Sequence, residues 1–127
     1  MQEQQLFEYA VIRVVPRVER EEFLNVGVVV YCRKLNFLQC IYALEGQKLL
    51  SFYPEIDLLQ LQQYLNAFQQ IAEGHPDGGP IAKLDTASRF RWLTATRSTV
   101  IQTSKVHPAL CADPREALKK LFQQYVV

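Results

Sequence analysis

The chain has 127 residues, of which 49% are hydrophobic and 21% charged, and a formal net charge of +1. That length makes one domain with a core of its own, and near-neutrality excludes a global attraction to nucleic acid or to an acidic membrane surface. Three cysteines without close spacing fit a reduced cytoplasmic protein, and no apolar run approaches the ~20 residues of a membrane helix. The opening MQEQQLFEY lacks the basic-then-apolar pattern of a signal peptide.

Taken in chain order, the first expected strand is Phe7–Val15, ended by Pro16, which cannot donate to a ladder. Residues 18–24 read as a short helical turn anchored by Val18 and Phe23. A second strand, Val26–Cys32, and a third, Phe37–Ala43, are joined by a turn at Arg33–Asn36, so they run antiparallel. Gly46 closes this meander. Asp57 and Gln60 match a capping box, and Leu58, Leu61, Leu65, Phe68 and Ile71 then make one helical apolar stripe that Gly74 stops. The opposite face carries Gln62, Gln63, Asn66, Gln69 and Gln70, all amides.

The stretch 74–80 reads as a loop able to act as a flap. Residues 85–93 are either a short helix or an extended segment, since periodicity does not decide. A fourth strand is expected at Thr99–Thr103, and residues 106–111, with Pro108, as a connection. Asp113 and Pro114 then start a last helix whose stripe is Leu118, Leu121, Phe122 and Tyr125. The expectation is a single α+β domain: a mainly antiparallel sheet of about four strands with two or three helices packed on one face.

No catalytic or metal signature emerges. Ser98, His107 and Asp113 have the residue types of a triad, but no nucleophile elbow presents the serine. Two histidines and three scattered cysteines make no zinc spacing, and no phosphate-binding glycine loop is present. No cofactor is expected. Glu19, Glu21 and Glu22 alternate with Arg17 and Arg20, which reads as a mutually screened surface turn. Cys32 and Cys40, on adjacent strands, are placed to face one another as buried thiols.

Three features stand out as candidate sites. Arg13 lies inside a strand otherwise made of Ala, Val and Ile, where a charge is costly unless paired. Residues 83–105 hold Lys83, Arg89, Arg91, Arg97 and Lys105 against Asp85 alone, interleaved with Phe90 and Trp92. Arg97 with Ser98, Ser104 and His107 nearby is suited to an oxyanion, because the planar guanidinium fork binds one bidentately.

The successive motifs Y-x-x-I-R-x-x-P, E-x-F-x-N-V-G-V-V, F-R-W-L-T-A-x-R-S-T, S-x-V-H and D-P resemble a widespread bacterial conserved-domain family with no assigned activity, over about Tyr9 to Val126. By motif, the resemblance marks Arg13, Asn25, Gly27, Arg91, Trp92, Arg97, Ser98, Ser104 and His107. Thr96 and Pro108 depart from the family pattern, which has Pro before R-S-T and Gly after His. Genes of the family often lie beside those of kinases resembling the HipA toxin, which implies a HipA-like kinase as protein partner. The leading expectation is therefore a cytoplasmic, non-enzymatic accessory protein. The alternatives are a nucleic-acid or phosphate-ligand binder using segment 89–97, and an undescribed enzyme with a groove around Arg13, Ser98 and His107.

Overall fold

The computed structural model describes residues 3–127. Its elements, in order, are β1 (Gln5–Val14), β2 (Leu24–Cys32), β3 (Phe37–Tyr42), α1 (Gly46–Phe52), α2 (Leu58–Glu73), α3 (Thr86–Leu93), β4 (Ile101–Thr103), β5 (His107–Cys111) and α4 (Pro114–Tyr125). The sheet is antiparallel throughout, in the order β3-β2-β1, with β4 and β5 sharing the outer edge of β1. The α+β class is as expected, with five strands and four helices.

Valine dominates β2, and Val26, Val28, Val29, Val30, Tyr31 and Cys32 are all buried. Alternation sends Val29 and Tyr31 to one face and Val28, Val30 and Cys32 to the other. Both faces must therefore be covered. On the first, Ala10, Ile12 and Val14 of β1 join Leu61, Leu65 and Phe68 of α2, Leu49 of α1, and Phe90 and Leu93 of α3. On the second, Phe7 packs with Leu118 and the partly buried Leu121 of α4. The sequence reading put all helices on one face; α4 instead takes the other, because the stripe of β2 is apolar on both sides.

Four further segments differ from expectation. Residues 107–111 are strand β5, not a connection, and Pro108 is tolerated because β5 is an edge. Val11 and Val15 point their peptide groups towards this edge, since Val11 O accepts from Ser104 N and Val15 N donates to Val100 O. By alternation Tyr9 and Phe7 do the same, so Pro108, opposite Glu8, turns its missing N–H away from β1. The short helix α1 has no cap in the sequence: Glu45 precedes it without a side-chain cap bond. Val18 and Phe23 do not anchor the 18–24 turn, being 40% and 44% exposed. Cys32 and Cys40 lie on opposite faces, and burial pushes the Cys40 thiol up to about 12.

The caps follow the expected chemistry. Asp57 accepts from Gln60 N at 3.1 Å, Asp85 from Ser88 N at 2.7 Å and Asp113 from Arg115 N at 2.9 Å. The Asp85 cap decides for the helix over 86–93, and Tyr31 stacks on Phe90 beneath it at 5.1 Å. Gly74 closes α2 with φ +66°. The glycine-rich 74–80 loop winds into a 3₁₀ turn at Pro76–Gly78 that packs on a second at Ile81–Lys83.

A β-bulge interrupts the β1–β2 ladder: Ile12 faces Gly27 and Arg13 faces Asn25, leaving Val26 as the extra residue. Gly27 is required here by crowding. A Cβ at this position would lie 2.6 Å from Ile41 O and 2.9 Å from Tyr42 Cβ. Gly27→Ala is expected to cost about 1–3 kcal/mol through overpacking, read as a lowered urea midpoint. An unchanged midpoint would show that β3 moves aside freely.

Candidate functional site

The sequence-selected residues fall into two groups on opposite sides of the sheet. On the α4 side, β1 presents Tyr9, Val11 and Arg13, flanked by His107 and Gln102 on one edge and by Phe23 and Asn25 on the other. Helix α4 packs on β2 and β3; along this strip beside it Tyr9 and Arg13 are half-buried and Val11 between them is buried. Asn25 Nδ2 donates to Tyr125 O at 3.1 Å, and the Tyr9 and Tyr125 hydroxyls meet at 3.4 Å. These two bonds fix the C-terminal end of α4 against the strip. The ring of His107 lies 5.4 Å from that of Tyr9.

Arg13 is not held in an ion pair with any described carboxylate. Its guanidinium lies 3.9 Å over the ring of Phe23, and burial lowers its pKa. Its Nε and the Asn25 Oδ1 are both buried without a hydrogen-bond partner. A desolvated donor and acceptor on register partners, neither satisfied, is an arrangement that calls for explanation. Tyr9 and Phe23 fall within the first two motifs and Tyr125 within the apolar stripe of the last helix, but none of them was read as a site residue; their spacing, 14 residues or more between neighbours, becomes proximity only through the sheet and α4.

On the other side lies the basic-aromatic segment. Arg89 donates from Nη1 to Ile71 O and Ala72 O, at 3.1 and 2.8 Å, and from Nε to Leu84 O at 3.0 Å. It thereby caps the carbonyl end of α2. Arg91 forks onto both oxygens of Glu8, at 3.0 and 3.3 Å, and that pairing raises its pKa. Arg97 turns back to donate to Trp92 O and to Leu93 O, and its guanidinium covers the half-exposed Trp92 ring at 4.2 Å. Each arginine of 89–97 thus serves a helix end or a carboxylate within the chain.

The hydroxyl candidates separate as well. Ser104 is buried, accepting from Val11 N at 2.8 Å and donating to Lys105 O at 2.9 Å, so it splices β4 to β5 rather than facing a ligand. Ser98 lies exposed in an irregular loop, and it forms no hydrogen bond with His107 or Asp113. Asp113 is occupied as the α4 cap. Among the described residues no cluster of three His, Cys, Asp or Glu side chains could hold a metal ion, and no helix is long and apolar enough to cross a membrane. The Glu19–Glu22 turn is screened by the exposed pairs Arg17–Glu19 and Arg20–Glu22.

The model of the family described as "Protein of unknown function (DUF3037)" matches residues 9–126. The chain belongs to that family. No curated protein and no solved structure matches it significantly.

Two outcomes are expected for this DUF3037 chain. Arg89→Ala removes charge-assisted bonds to the end of α2 and should lower stability by about 1.5–3 kcal/mol, measured by denaturant titration. Tyr9 is held protonated chiefly by its bond to Tyr125 and then by burial, pushing its pKa from 10.0 to about 12. The folded state therefore keeps a proton that the unfolded chain releases near pH 10, so this contribution is complete below 10 and lost as pH rises through about 12. Alkaline titration by ultraviolet absorbance checks this: Tyr9→Phe should lack the highest-pH ionisation step.

Proposed function

We propose that this protein is a cytoplasmic, non-enzymatic accessory protein that binds another protein through the outer face of α2. The observation that carries this reading is the composition of that face. From Leu58 to Ala72 the helix contains no charged residue, yet Leu59 is 70% exposed and Tyr64 45%. A helix face that only meets water normally carries charge, whereas aromatic and amide groups lose less on desolvation than ions do. Gln60, Gln63 and Asn66 are exposed around Tyr64, which borders a shallow depression of about 320 Å³ with Thr99, Val100 and Ile101. That depression offers a partner's side chain a seat beside the helix.

The partner implied by the family resemblance is a HipA-like kinase. The three free cysteines favour a reducing compartment. The nucleic-acid alternative draws less support, because Arg89, Arg91 and Arg97 already spend donors inside the chain.

Affinity capture from nuclease-treated host lysate tests the reading. Wild type should retain one stoichiometric kinase, and Tyr64→Glu or Leu59→Lys should lose it while melting as wild type does. Capture that is insensitive to both substitutions removes α2 as the docking face. A parallel capture from untreated lysate that retains nucleic acid in place of a protein partner overturns the accessory reading.

A further inference from the structure

We propose that the strip beside α4 is a binding site for a phosphate monoester carrying a flat ring, with Arg13 as its anion-binding group. The charge balance comes first. Arg13 is half-buried, its pKa is depressed by burial alone, and no described carboxylate pairs with it, unlike Arg17, Arg20 and Arg91, each of which has a glutamate. A partly desolvated cation is costly without a counter-charge, and an oxyanion from outside the chain supplies one. The guanidinium is pre-set for it. Stacking on Phe23 fixes its plane, and a planar fork with few remaining torsions binds phosphate or carboxylate bidentately.

The neighbouring groups narrow the class of ligand. Asn25 Oδ1, opposite Arg13 in the register, is a buried acceptor in want of a donor. A bare carboxylate cannot supply one. A phosphate monoester can, through its P–OH form or through a hydroxyl on the ester group. Four aromatic rings then surround the strip: Phe23, Tyr125, Tyr9 and His107. Tyr9 lies four residues along β1 from Arg13, a span of roughly 13 Å, so a phosphate on Arg13 places an attached ring within the strip, towards Tyr9 and His107. Flat rings stack on such surfaces without needing a particular base. Arg97, the other arginine lowered by burial, is already engaged with the end of α3 and with Trp92.

This site is separate from the α2 face, so it stands or falls independently of the accessory reading. The full chain, isotope-labelled, is titrated by NMR with inorganic phosphate, acetate, phenyl phosphate and adenosine monophosphate. The expected result is a saturable shift of the Arg13 Nε–H and of the Phe23, Asn25 and Gln102 amides. The two ring-bearing phosphates should bind more tightly than inorganic phosphate, and acetate most weakly. Arg13→Gln, whose polar side chain suits a half-exposed strand position, should weaken binding about 10- to 100-fold, the loss of one charged hydrogen-bonding group. Arg13→Lys, which keeps the charge without the fork, should fall between. Three outcomes overturn the proposal: no saturable shift with any phosphate, equal affinity in wild type and in an Arg13→Gln protein that melts normally, or shifts confined to Trp92 and Arg97. Acetate binding as tightly as the phosphates overturns the choice of ligand class.

Discussion

Strand β2 offers no face to water, and the placement of every helix follows from that. Six of its residues from Val26 to Cys32 are buried side chains, and the seventh is Gly27, whose missing side chain is the space taken by Ile41 and Tyr42. A sheet whose central strand is apolar on both sides must be a middle layer. Helices α1 to α3 close one side and α4 closes the other. The bulge at Val26 then works within this layer. By adding one residue it keeps Ile12 over the α2 core while turning Asn25 to the α4 side opposite Arg13. The polar pair thus comes from this local irregularity, whereas β3 approaches Gly27 along an unbroken register.

The positive charge of residues 83–105 has a structural use that net counting conceals. Arg89 and Arg97 bond to the carbonyl ends of α2 and α3, where the helix dipole is negative, and Arg91 pairs with Glu8 across to β1. Three cations within nine residues, Arg89 to Arg97, tie together three different elements. A basic run in sequence is therefore no measure of basic surface. What counts is how many guanidinium donors remain after the helix ends have been satisfied.

Much of the fold was legible from local chemistry. Asp57, Asp85 and Asp113 announce helix starts because an N-cap acts over three residues, and Arg33–Asn36 announces a hairpin for the same reason of short range. What was hidden depends on distant partners. Strand β5 looked like a connection because Pro108 is a breaker everywhere except on an edge, and edge status is a property of the assembled sheet. Helix α1 carries no cap to read. Of the site residues, Arg13 was conspicuous as a charge amid the apolar run from Ala10 to Val15. Ser104, marked by a motif, proved to be a joint, and Tyr9 and Tyr125, not read as site residues, meet across 116 residues.

The joint at Ser104 has a consequence for how molecules of this protein meet each other. A long edge strand with free N–H and C=O groups is a template for another strand, and so for aggregation. Here the outer edge of β1 is capped by two short pieces, three and five residues long, with the Ser104 hydroxyl standing in for backbone at the break. Pro108 removes one outward donor from the longer piece. An incoming strand would find no continuous ladder to zip along, so this border of the sheet resists fibre-like stacking without relying on charge.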